Sequence, residues 1–278
     1  MLRMAPELII GPLLVGAATL AARRWGVRVA GVVSALPAVV GPVLLITATQ
    51  RGAAFAGQAA DGTLLGLVGL SGFVAAYAQI AIRAHWGISL LTGWICAAVI
   101  SVSLGWLAAG GGVLRGLVAA VLSLLLAHRT MPRAPVDFRP DPPGWNGVIV
   151  RMAVTAGLVA LLATVAVLVG PLLGGMLAAL PLLASVLAVF THRRAGAPAA
   201  VALLRGMLAG MTGFVGFCAV VGGLIVPMGP AWAFTVAALT AIGLQLLVLA
   251  PHEVLLLLRF MSARPGHGPG SAGAGQAG

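Results

Sequence analysis

Nine apolar stretches, each near the length of a bilayer crossing, recur along this 278-residue chain with almost no charge inside them. They lie at about 7–22, 27–48, 62–82, 87–108, 112–127, 148–169, 171–191, 203–226 and 231–250. A helix needs roughly 17–25 apolar residues to cross hydrocarbon. Lipid offers a peptide group no hydrogen-bond partner, so runs of this kind fold as helices. Charged residues make up 8% of the chain, against about 25% in soluble domains. That excludes an ordinary soluble enzyme, and the hydrophobicity excludes a disordered chain. A β-barrel would need short alternating segments, which do not occur. The expected fold is therefore an all-α integral membrane protein of about nine transmembrane helices.

The net charge of +11 is carried by 16 Arg and no Lys. In a soluble protein it would point to nucleic acid. Here the Arg sit between spans and read as topology signals instead. With nine helices, thirteen Arg fall on one side, and only Arg3, Arg51 and Arg115 fall on the other. By the positive-inside rule the N-terminus is outside and the C-terminus cytoplasmic, in a bacterial inner membrane. The start of the chain resembles a signal peptide, but Arg23 and Arg24 follow its apolar run without a cleavage region. It is read as a retained first helix. Cys96 and Cys218 lie inside apolar runs and behave as small hydrophobes. No metal-spaced His/Cys cluster, phosphate loop or nucleophile elbow is present, so neither cofactor nor enzymatic activity is expected.

An internal duplication organises the chain. The 47 residues from Gly31 align without a gap on those from Gly175, 144 positions later, with 15 identities. These include Pro37/Pro181, Thr47/Thr191, Gly52/Gly196, Gly62/Gly206, Gly66/Gly210, Gly69/Gly213 and Gly72/Gly216. The offset spans five helices, an odd number, so the two copies are expected to run in opposite senses across the membrane. Helices 1–4 then pair with helices 6–9, and helix 5 joins them. The implied units are residues 1–109, a connector helix with a Pro-rich cytoplasmic linker at 110–147, residues 148–260, and a low-complexity tail at 261–278. Inverted repeats are a recurrent design of secondary transporters, with the substrate site near the midplane.

Candidate site residues follow from that design. Pro37 and Pro42 interrupt helix 2, and Pro181 interrupts helix 7, where Ser185 matches Gly41. A Pro inside a helix frees carbonyls, which discontinuous transporter helices use as ligands; a plain packing kink has the same geometry. The expected substrate-binding set is Ser34, Pro37, Gly41, Pro42, Tyr77, Pro181 and Ser185. Thr47, Thr49, Gln79, Ser101, Ser103 and Gln245 are further polar groups able to face a cavity. Gly62, Gly66 and Gly69, with Gly206, Gly210 and Gly213, are expected to be helix-packing positions, because their spacing keeps them on one face. Asp61 is read as starting helix 3 outside, opposite in role to its repeat mate Arg205. His252 and Glu253, near Arg259, are placed at the inner interface. No acid is placed securely at mid-membrane, which argues against a simple carboxylate proton relay.

Arg24, Gly31, Ala35, Leu36 and Pro37, followed by three more helices, resemble the pattern of small four-helix bacterial membrane proteins of the GlpM kind. The likeness covers about one half-unit, so the chain resembles two such units fused through an extra helix. The architecture is also similar to that of the drug/metabolite transporter superfamily, which implies inverted four- or five-helix units and transport. The intramembrane Glu of that superfamily's smallest members has no match here, and the resemblance carries over no site.

The expected function is secondary transport, in the export direction, of a small neutral or anionic metabolite, with the bilayer and that substrate as partners. The alternative is a non-transport membrane partner of an envelope or polysaccharide assembly system. A lipid-acting enzyme would need a constellation that His252 and Glu253 alone do not supply.

Overall fold

The computed structural model describes residues 5–37, 40–107, 112–133, 145–157 and 181–262. They form α1 (Ala5–Trp25), α2 (Val27–Ser34), α3 (Val40–Arg51), α4 (Ala53–Ala81), α5 (Trp86–Leu107) and α6 (Val113–Thr130). A helical segment at 145–157, here α7, precedes α8 (Leu182–Met228) and α9 (Pro230–Ser262). No strand occurs among the described residues. Five of these helices are long and apolar enough to cross a membrane: α4, α5, α6, α8 and α9. Residues 158–169 of the expected span 148–169 and 171–180 of the expected span 171–191 lie outside the described residues, as do Asp137, Asp141 and residues 263–278.

Two expected boundaries change. The stretch at 27–48 is two helices, α2 and α3, parted at Leu36–Pro37. The third span begins at Ala53 rather than near residue 62. The reason is local. The Ala-rich run after Gly52 forms helix readily, and Gly52 itself sets the break, with φ 90° and ψ 164°. Only glycine tolerates that backbone region without strain. Gly196, 144 residues later, adopts φ 81° and ψ 175° and kinks α8 at the matching place. These breaks still preserve pairing. The Gly52 N–H donates to Ala48, and the Gly52 carbonyl accepts from Ala56, which limits the orphaned groups that a helix end leaves.

The antiparallel pair α4 and α8 forms the centre. Gly57 lies against Gly222 and Ile225, while Tyr77, twenty residues further along α4, reaches His192. The helices α5 and α9 flank this pair on corresponding faces. Gly69 packs on Ala97 and Ser101 of α5, and Gly213 packs on Ala241 and Gln245 of α9. Gly72 packs on Cys96 and Ile100, and Gly216 on Thr240 and Leu244. The contacts of Gly69 and Gly72 on α5 thus recur 144 residues along the chain as those of Gly213 and Gly216 on α9. The main core runs through α4, α6, α8 and α9, around fully buried Leu64, Phe73, Tyr77, Leu204 and Met211. A second cluster joins α1 and α2 to α8 through Val15, Ala18, Ala30, Leu187 and Leu203.

The short α2 is held by backbone contact. Gly31 meets the Leu203 carbonyl, Gly206 meets the Arg28 carbonyl, and Gly210 meets Val32. A methyl group at any of the three would overlap backbone atoms rather than a movable side chain. Glycine-to-alanine changes in a helix ordinarily gain up to about 1 kcal/mol by propensity. At Gly206 the overlap reverses the sign. We expect Gly206→Ala to destabilise the fold by about 1–3 kcal/mol, as overpacked cores do. Gly243→Ala, in open space on α9, should be neutral or stabilising. Unfolding of both purified variants in mixed micelles against denaturing detergent measures the difference.

Candidate functional site

The turns that begin at Pro37 and Pro181 are built alike. Pro37 and Pro181 each present a carbonyl that accepts a backbone N–H four residues on, from Gly41 and Ser185, both at 2.8 Å. Each carbonyl thus belongs to the first turn of a new helix. At the first break Gly41 faces the Phe217 ring, and Pro42 is exposed. Ser34, buried just before it, donates its hydroxyl to the Gly31 carbonyl at 2.7 Å. At the second break Pro181 is buried, and Ser185 is 4% exposed.

Ser185 is the more elaborate position. Its Oγ donates to the Pro181 carbonyl at 2.7 Å and accepts from Trp94 Nε1 of α5 at 2.8 Å. One side chain therefore ties the α8 start to α5. Two turns further along α8, His192 Nδ1 meets the Tyr77 hydroxyl of α4 at 3.2 Å. Their rings pack edge-on with centroids 6.0 Å apart, and Phe73 adds a third ring 5.9 Å from Tyr77. Residues seven apart share a helix face, so the two links line one polar seam where α4, α5 and α8 meet. Neutral, orientable donors and acceptors of this kind can bind polar groups of a small molecule, and they can equally lock helices together.

Of the residues expected to bind substrate, Tyr77 and Ser185 lie on this seam with Pro181 adjacent. Ser34, Pro37, Gly41 and Pro42 lie at the α2–α3 break instead. Of the expected packing glycines, Gly69, Gly206, Gly210 and Gly213 make close contacts, whereas Gly62 and Gly66 meet no described atom within 4 Å. Gln245 is buried, and its Nε2 donates to the Gly210 carbonyl at 3.3 Å. Ser101, its counterpart on α5, packs on Gly69. Thr49, Gln79 and Ser103 are exposed. His252 and Glu253 fall within α9.

Trp94 and His192 were not among the expected ligands. Trp94 sits in an apolar run and reveals its polar use only when α5 is packed on α8. His192, beside Arg193, looks interfacial in the sequence. Asp61 also changes place: with α4 starting at Ala53 it occupies the third turn, where its Oδ1 lies over Gly222 beside Val113. That oxygen is buried without a hydrogen-bond partner, and so is Nε of its counterpart Arg205. An unpartnered carboxylate oxygen inside an apolar helix is a functional candidate by default. No group of three or more metal-ligating side chains occurs among the described residues.

If the seam is cooperative, Tyr77→Phe and His192→Gln should each lower thermal stability and should not add. A coupling of about 0.6 kcal/mol is the usual size for interhelical hydrogen bonds in membranes. A double-mutant cycle on the purified protein measures it. Comparison of the chain with protein-family models, with curated proteins and with solved structures gives no match.

Proposed function

We propose that the chain is a secondary membrane transporter, exporting a small neutral or anionic metabolite by alternating access between two inverted repeats. The observation that carries this reading is the match of local geometry at 144 residues: a proline-headed turn, a positive-φ glycine, and a long glycine-faced helix. The part of α8 after Gly196, which is equivalent to α4 under this offset, passes α4 antiparallel, as inversion requires. Interrupted helices in corresponding places of two halves are the best sequence pointer to a transporter site. The likeness of each half to GlpM-type four-helix proteins accords with the same reading. In this proposal the seam of Tyr77, Trp94, Ser185 and His192 takes the polar groups of the substrate. The nine-helix count, the inner-membrane location and the cytoplasmic C-terminus belong to the proposal as well.

An unbiased comparison of metabolites inside and outside cells tests it. A compound that accumulates within a deletion strain and outside an overproducer is the expected result. No reciprocal change under several growth conditions would favour the assembly-partner reading. Replacing Pro37 or Pro181 by Ala should reduce export without reducing insertion, because the breaks shape the site. Unchanged export in both variants would remove the breaks from the mechanism.

A further inference from the structure

Away from the seam, the kinked start of α8 and the described turns of α7 enclose an open cleft of about 460 Å³. Asn146 and Arg151 of α7 and Phe190, Arg193 and Arg194 of α8 line it. Arg151 is only 6% exposed. Its guanidinium stacks on the Phe190 ring at 5.5 Å. Burying a guanidinium costs much unless an anion or acceptors compensate it. Among the described side chains no carboxylate pairs with it, and the charge that acts on it is another cation, Arg194. Beside the cleft, Arg23 stacks on Trp145 at 4.9 Å, and its Nη1 is buried without a partner. Arg193 lies over Trp86 at 5.2 Å, which anchors that side of the opening.

Three arginines converge on one cavity, and Arg151, the most buried of them, pairs with no carboxylate among the described side chains. Repulsion among them opposes the arrangement unless a multivalent anion joins it. Guanidinium forks match phosphate oxygens bidentately. We propose that this cleft binds a phosphate group, with Arg151 as the buried anchor and Arg193 and Arg194 as the outer clamp. Basic pockets between membrane helices take lipid headgroups in this way. A soluble phosphorylated compound would use the same donors. The site is separate from the seam, and its test involves no transport, so either proposal can fail alone.

The full-length protein is purified into nanodiscs of phosphatidylcholine, with and without phosphatidylglycerol, and its thermal unfolding is followed. Inorganic phosphate is titrated into the phosphatidylcholine discs. A ligand that binds the native state raises the midpoint. Stabilisation by phosphatidylglycerol alone assigns a headgroup; saturable stabilisation by phosphate assigns a soluble ligand. In either case R193Q/R194Q should weaken binding about tenfold or more, since each charged hydrogen bond is worth about 1.5–3 kcal/mol. R151Q should abolish it. If R151Q does not fold, the exposed pair Arg193 and Arg194 still decides the matter. The control R83Q/R129Q removes equal charge at exposed positions elsewhere and should leave binding intact. No response to either probe overturns the proposal. So does a response unchanged in R193Q/R194Q, or one equally lost in R83Q/R129Q.

Discussion

Where α2 crosses α8, backbone meets backbone, and the rest of the fold is arranged around that approach. Gly31, Gly206 and Gly210 let backbone touch backbone at the crossing. Lipid is as apolar as leucine, so burial of apolar surface gives membrane helices little reason to associate. Dispersion contacts and hydrogen bonds must supply it, and these grow with closeness of approach. The same logic recurs at Gly69 and Gly72 against α5, and at Gly213 and Gly216 against α9. With glycine drawing the helices together, the larger residues Phe73, Tyr77, Leu204 and Met211 fill the spaces between crossings.

Close packing leaves few places for polar groups, and those that remain are concentrated. One concentration is neutral: Trp94 with Ser185 and Tyr77 with His192, two turns apart on α8. The other is cationic: Arg151, Arg193 and Arg194 around one cleft. Their separation suits two different ligand chemistries. Neutral donors and acceptors recognise without demanding a counter-ion, whereas clustered guanidiniums demand one. Asp61 and Arg205, 144 positions apart and of opposite charge, each bury an unpartnered atom.

Much of this was legible in the sequence because membrane helices are written in composition and in glycine and proline placement. The break at Pro37 and the close contacts of Gly69, Gly206, Gly210 and Gly213 follow from period and steric size. The start of α4 was misplaced because Gln58 and Asp61 lower the local hydropathy, although Ala53–Ala60 favours helix. The Trp94–Ser185 link was not legible, since it depends on the rotation of α5 about its axis, which a uniformly apolar segment does not encode. Arg151 was read as an interfacial topology signal. Its burial arises from α8 folding over it, which no local pattern announces.

The crossing of α2 and α8 joins residues about 180 positions apart. At synthesis rates of about 5–20 residues per second, α8 emerges roughly 10–40 s after α2. Through that interval the eight-residue α2 has α1 beside it and no partner for its glycine face. Its final position is therefore set late, by the second half of the chain closing over the first. A ribosome stalled before Leu203 would leave the first half without the surface that seats α2, so assembly is governed by the order of synthesis as well as by the contacts themselves.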